Sequence, residues 1–207
     1  MQITAQMVKE LRAATGAGPL DCKKALEANE GDIEKAINFL REKGLIKAAK
    51  KLGAGRSMNE GVIQNYQHFN KRLGVIVEVN CETDFVANTE VFQNFSYDVA
   101  MHIANLAPEY IRREDVPEAV IQAERGLQKR RAIEEGKPED IAEKMVDGRM
   151  NKFFEEIVLM EQAFIKDDEK TINELLQEVV AEVGESIEIR RFARYALGED
   201  NGGAADA

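Results

Sequence analysis

Apolar positions in the first part of the chain recur every three to four residues. Met7, Val8 and Leu11 follow Thr4; Cys22, Ala25 and Leu26 follow Pro19; Ile33, Ala36, Ile37 and Leu40 follow Gly31-Asp32. That period marks amphipathic helices. Thr4 suits an N-cap and Pro19 the first turn of a helix, while Thr15-Gly16-Ala17-Gly18 and Gly31-Asp32 suit helix ends. The pattern predicts three short helices in residues 1–54, packed as a minimal bundle with a thin core. The stretch Lys47-Ala48-Ala49-Lys50-Lys51-Leu52-Gly53-Ala54-Gly55-Arg56-Ser57 is basic, small and glycine-containing, which reads as a linker.

Beyond the linker the period drops to two. Val75, Val77 and Val79 alternate with Ile76, Glu78 and Asn80, so a strand is expected over 73–80 and a partner over 62–69, joined at Asn70-Lys71-Arg72 as a hairpin spanning 62–80. Helices are expected over about 89–106, 117–135, 138–160 and 171–184, with Thr171 as a cap and Gly136-Lys137-Pro138 as punctuation between two helices that pack antiparallel. A last strand over 186–197 joins the hairpin. The fold class is α+β: an N-terminal three-helix bundle (1–54), a core of small antiparallel sheet packed with helices (55–198), and a flexible tail (199–207).

Composition narrows the function classes. The chain has 207 residues, 44% hydrophobic and 32% charged, with net charge −10. It is long enough for one or two globular domains. The charge is uneven: residues 1–54 carry ten Lys/Arg against seven Asp/Glu, and the remainder is strongly acidic. An acidic chain argues against direct nucleic-acid binding, which wants a basic surface. Two cysteines are too few for a disulfide scaffold and fit a reducing compartment. No apolar run is long enough for a membrane span and no secretory signal opens the chain. The expected setting is cytoplasmic.

No catalytic constellation emerges. Cys81 with His68 or His102 could form a nucleophile and base, but Cys81 ends a valine-rich strand, where a buried inert thiol is the simpler reading. Glu155-Glu156 and Asp167-Asp168-Glu169 read as solvated surface rather than a metal site. Gly16-Ala17-Gly18 before Lys23-Lys24 lacks the spacing of a phosphate loop. The segment of interest is Thr83-Asp84-Phe85-Val86, between a strand end and a helix start, where side chains can project. An aspartate beside a phenylalanine offers a charged anchor and an apolar knob. Taken alone, physics favours a Phe85 tucked into the core beside Val86, since Phe is usually buried.

Four strings alter that balance. Thr15 to Gly18 with Asp21 to Leu26, Ile46 to Lys51, Glu78 to Val86, and Glu143 to Phe153 closely resemble, in order and over most of the chain, the elongation factor Ts family. The resemblance implies a guanine-nucleotide exchange factor, not an enzyme with covalent chemistry, whose partner is elongation factor Tu in its GDP-bound and nucleotide-free states. No cofactor or metal is implied. It implies a ubiquitin-associated-like N-terminal bundle and an α+β core. It further implies that Thr83, Asp84, Phe85 and Val86 form the element that inserts between two helices of the partner's GTPase domain. Arg12, Pro19, Leu20 and Lys23 would contact that same domain, and Lys51 matches the family's linker lysine. Pro19-Leu20 stand where many members have two methionines, and Glu82 where glutamine is common. The chain lacks the second half of the core and the coiled-coil insertion of longer members, and some short members are homodimers. Two sheets paired about a two-fold axis would replace the missing half.

Two other classes compete. A helical-bundle binding module for ubiquitin-like folds or helical peptides would leave Asp84-Phe85 and the 145–153 match without a purpose. A Cys81-dependent enzyme would lose function on Cys81→Ser with the fold retained.

Overall fold

The structure is a computed structural model that describes residues 3–15, 19–52, 58–136 and 138–199. Three helices open the chain: α1 (Ala5–Thr15), α2 (Pro19–Ala28) and α3 (Ile33–Leu52). Thr4 caps α1, its Oγ1 accepting from the Met7 N–H at 3.3 Å. Pro19 is the first residue of α2, where its missing N–H would have had no helical partner. The chain leaves α2 through Glu30 and Gly31, at φ 56° and 85°, and the Gly31 N–H donates back to the Leu26 carbonyl at 2.8 Å. Asp32 starts α3 by accepting from the Lys35 N–H at 3.0 Å, a bond that holds its carboxyl below the usual carboxylate range. Leu11, Cys22, Ala25, Leu26 and Ala36 form the bundle core, with Ile33, Ile37 and Leu40 packed against it. These are the stripes the helical period picks out.

The third helix overturns one expectation. It continues through Lys47–Leu52, residues whose composition reads as a linker. Lysine, alanine and leucine are strong helix formers, so small basic residues extend the helix rather than end it. Residues 53–57 of the expected linker lie outside the described residues.

Next come β1 (Glu60–Gln67), β2 (Leu73–Cys81), the short helix α4 (Asp84–Ala87), α5 (Glu90–Leu106), α6 (Glu118–Glu134), α7 (Glu139–Ile157), β3 (Ala163–Phe164), β4 (Asp167–Thr171), α8 (Ile172–Val183) and β5 (Ile187–Ala196). The molecule divides into two units. One combines Met1–Gly61, Asn80–Phe92 and Leu176–Glu188; the other combines Val62–Val79, Gln93–Leu175 and Ile189–Ala207.

In the first unit, α3 and α8 approach closely. A Cβ added at Gly44 would lie 3.2 Å from that of Ala181, and Arg41 pairs with Glu178. Gly184 ends α8 at φ 77°, a backbone angle that suits glycine, and turns the chain into Glu185-Ser186.

In the second unit, the three-stranded sheet has the order β1-β2-β5. Its hairpin closes with the His68 N–H donating to the Leu73 carbonyl at 2.9 Å. Val75, Val77 and Val79 are buried while Ile76 faces outward, as the period of two requires. Glu78 pairs with Arg190 and Arg191 of β5 at 3.3 and 2.6 Å. Helices α6 and α7 pack together; Arg125 pairs with Asp147 at 2.8 Å and Lys129 with Glu143 at 3.4 Å. One series ascends as the other descends, the signature of the expected antiparallel pair. Helix α7 ends at Ile157 rather than near Met160, giving way to a 3₁₀ turn over Leu159–Glu161. The acidic run Asp167-Asp168-Glu169, read as solvated surface, begins β4, which pairs antiparallel with β3. Thr171 caps α8 as expected: its Oγ1 accepts from the Glu174 N–H at 3.2 Å, and the Glu174 carboxylate accepts from the Thr171 N–H at 2.8 Å, a reciprocal capping box.

One buried imidazole ties the start of this hairpin to α5. The side-chain nitrogen of Gln162 donates to the Glu156 carbonyl at 2.7 Å, which turns its oxygen to His102 Nε2, 3.0 Å away. The Ile165 N–H donates to His102 Nδ1 at 3.3 Å. Both contacts suit only the neutral ring with its proton on Nε2. Burial pushes the His102 pKa below the ordinary imidazole value. The unfolded chain therefore takes up the proton first as pH falls, and stability conferred by the neutral ring is complete above about pH 6.5 and declines below it. Urea unfolding should show a smaller loss of stability between about pH 7.5 and about pH 5.5 in His102→Gln than in the unaltered chain. Equal losses would mean that this ring does not set the acid response.

Candidate functional site

The Asp84-Phe85 segment, expected as a loop, lies in the four-residue helix α4 (Asp84–Ala87), with Thr83 as its N-cap. Such a helix makes few internal hydrogen bonds, and helix nucleation is costly. It therefore depends on what holds it from outside. Thr83 sits at the N-cap with φ −134° and ψ 152°, and its Oγ1 accepts from the Val86 N–H at 3.3 Å. Asp84 occupies the first turn, where a carboxylate complements the helix dipole. At the far end the side-chain amide of Asn88 donates to the Asp84 carbonyl at 2.8 Å, and Thr89 Oγ1 donates to the Val86 carbonyl at 2.8 Å.

The helix has two faces. Val86 and Ala87 are buried at 4% and 6% exposure. Phe85 is 79% exposed, and Asp84 is exposed beside it. The core position that physics alone favours for Phe85 is thus not the one it takes. Val86, expected at the partner surface, faces inward and anchors the element instead.

A second pair of residues, from the turn after α8, clamps the entry to α4. Glu185 accepts from the Thr83 N–H at 3.1 Å and from the Thr83 hydroxyl at 2.8 Å. In return Glu82 accepts from the Ser186 N–H and the Ser186 hydroxyl, both at 2.8 Å. Nothing in the sequence pattern points to Glu185 or Ser186, since they lie about a hundred residues from their partners.

Of the remaining candidates, Arg12, Pro19, Leu20 and Lys23 are all exposed on α1 and α2. Leu20 is an uncovered apolar side chain at 64%, and Lys23 pairs loosely with Glu27 at 3.8 Å. Lys51 lies in the last turn of α3, its side chain outside the described residues. Cys81 presents no exposed thiolate. Its thiol is buried and donates to the Thr83 carbonyl at 3.1 Å, and burial pushes its pKa up, away from the thiolate. The two rings that could have served it as a base are engaged elsewhere: His68 with Tyr66 at 3.0 Å, His102 with Gln162 and Ile165.

Comparison with known proteins agrees with the sequence resemblance. The family model described as Elongation factor TS matches residues 2–199. Elongation factor Ts of Syntrophomonas wolfei is 60% identical over 197 residues, which cover 95% of this chain and 91% of that relative. Elongation factor Ts of Carboxydothermus hydrogenoformans is 57% identical, covering 95% of this chain and 90% of the relative. That of Caldanaerobacter subterraneus is 55% identical, covering 95% and 98%. Among the described residues, no helix is long and apolar enough to cross a membrane.

The two faces of α4 make separable demands. Phe85→Ala should leave stability within about 0.5 kcal/mol of the unaltered chain, as for an exposed side chain. Val86→Ala should cost roughly 1–3 kcal/mol, because it deletes buried methyl groups. Urea midpoints of the two variants check this; equal losses would place the Phe85 ring in its own core.

Proposed function

The chain belongs to the elongation factor Ts family and is a translation elongation factor, and from that premise we propose that it is a guanine-nucleotide exchange factor for elongation factor Tu that opens the GTPase with Phe85. The supporting observation is the 79% exposure of that ring on a helix whose next two residues are buried. A ring held outward on an anchored helix is available to a partner, and covering it there would be favourable.

Exchange requires no covalent step. The GTPase holds GDP through its phosphate loop and Mg²⁺, and the factor needs only to bind the nucleotide-free state more tightly than the GDP-bound state. That preference is a coupling free energy and acts both ways: the factor weakens the nucleotide, and the nucleotide weakens the factor. A thousandfold faster release requires about 4 kcal/mol of difference. Full burial of one Phe side chain supplies roughly 1.5–3 kcal/mol. Phe85 entering between two helices of the GTPase domain therefore accounts for part of the effect, with Asp84 fixing its pose by hydrogen bonds to the partner. Spreading those helices loosens the Mg²⁺ and phosphate site and lets GDP leave.

The remaining interaction comes from Arg12, Pro19, Leu20, Lys23 and Lys51. The exposed Leu20 is an apolar contact of the kind such a docking surface needs, and the basic character of residues 1–54 favours an acidic partner surface. The chain acts in the cytoplasm and touches neither nucleic acid nor membrane directly. Exposed Ile63 and Ile76 on the sheet support a homodimer formed by pairing two sheets.

Release of labelled GDP from elongation factor Tu tests the wedge. Phe85→Ala should slow factor-stimulated release about tenfold or more, the loss expected from giving up the burial of one aromatic ring. Asp84→Asn should slow it by a smaller factor. Release as fast as with the unaltered chain, in folded variants, would end the proposal.

A further inference from the structure

Thr83 has a single hydroxyl proton, and the structure fixes where it goes. The Val86 N–H occupies one lone pair of Oγ1 at 3.3 Å, so the proton must point elsewhere. It is received by Glu185 Oε1 at 2.8 Å, while Glu185 Oε2 takes the Thr83 backbone N–H at 3.1 Å. One carboxylate thus receives both donors of the cap residue, and hydrogen bonds to an ionised acceptor are stronger than neutral ones. Holding the proton on the carboxylate side keeps the Oγ1 lone pair turned to the helix. The capping bond and the carboxylate bonds support each other.

The return contacts make the arrangement directional. Ser186 N–H and Oγ both donate to Glu82 Oε1 at 2.8 Å. Two dipeptides, Glu82-Thr83 and Glu185-Ser186, each supply a carboxylate to the other's backbone N–H and hydroxyl. A single bond would leave the strand-to-helix joint free to pivot; this reciprocal set resists rotation about the chain axis. Rotation is the motion that would swing Phe85, two residues on, off its outward line. Burial of Val86 and Ala87 and the Asn88 and Thr89 bonds hold the body and far end of α4, and the carboxylate clamp holds its entrance.

We propose that Glu185 is a positioning residue for nucleotide exchange: through Thr83 it fixes the angle of α4 and so the direction in which Phe85 meets the partner. This rests on the wedge reading above and names the group that aims the wedge. Glu185 need not touch the partner.

The test is a double-mutant cycle in the full chain, read as labelled-GDP release from elongation factor Tu over a range of factor concentrations. Glu185→Gln is nearly isosteric and keeps one oxygen, but it puts an NH₂ group against one of the Thr83 donors. It should lower the maximal release rate by about tenfold, with the half-saturating concentration changing less than about threefold. In a Phe85→Ala background the same substitution should change the rate by less than about twofold, because no ring is left to aim. Thr83→Val removes both the hydroxyl donated to Glu185 and the cap accepted from the Val86 N–H, and should slow release at least as much as Glu185→Gln. If Glu185→Gln fails to fold, Glu185→Asp, which keeps the charge but draws the carboxylate back from the Thr83 hydroxyl and N–H, carries the test against the same Phe85→Ala background. Unaltered release by Glu185→Gln, or an equal slowing with and without the Phe85 ring, overturns the positioning role. A Phe85→Ala variant with unaltered release overturns the wedge itself, a separate result visible in the same cycle.

Discussion

A four-residue helix cannot hold itself in water, because the cost of nucleating it is recovered only over many more residues. The rest of the site depends on that constraint. The helix bearing Phe85 exists because Thr83 caps it, because Val86 and Ala87 are buried beneath it, and because Glu185 and Glu82 lock its entrance. Without those external supports the aromatic ring would lie on a mobile strand-to-helix connection. With them it stands outward on a fixed base, so the backbone beneath it need not be ordered on association and less entropy is lost there.

The same supports keep the ring out of the fold's own stability. Within α4 the inward residues stabilise the unit, and the outward ring contributes almost nothing to folding while remaining available to a partner. A similar division holds in the bundle, where Leu11, Cys22, Ala25, Leu26 and Ala36 are buried and Leu20 is uncovered. Helix α8 belongs to both sets. It packs closely on α3 at Gly44, and its end turns at Gly184 to deliver the Glu185 carboxylate. The base of the exposed ring is thus built from segments far apart in the sequence.

That distance explains which parts were legible in the sequence. Caps and periods are local, so Thr4, Pro19 and Thr171 marked their helices, and the valines of β2 marked their buried face. Lys47 to Leu52 misled because a basic, small-residue stretch serves equally as linker and as helix, and helix propensity decided it. The β3–β4 hairpin was hidden because its second strand opens with the acidic run Asp167-Asp168-Glu169 and carries no apolar alternation. Phe85 could not be placed by physics alone; its outward position came from the family resemblance of the surrounding string, and the structure agrees. Glu185 carried no signal. A glutamate after a helix-ending glycine is ordinary, and its bond to Thr83 exists only once the chain has folded.

The most direct test of the account observes the ring itself. A single fluorine placed on the Phe85 ring reports its surroundings by ¹⁹F NMR, and the shift between H₂O and D₂O reports contact with solvent. The account predicts a full solvent shift in the free factor, its loss on binding nucleotide-free elongation factor Tu, and its return when excess GDP dissociates the complex. A ring shielded from solvent in the free factor, or one that stays wet in the nucleotide-free complex, would contradict it.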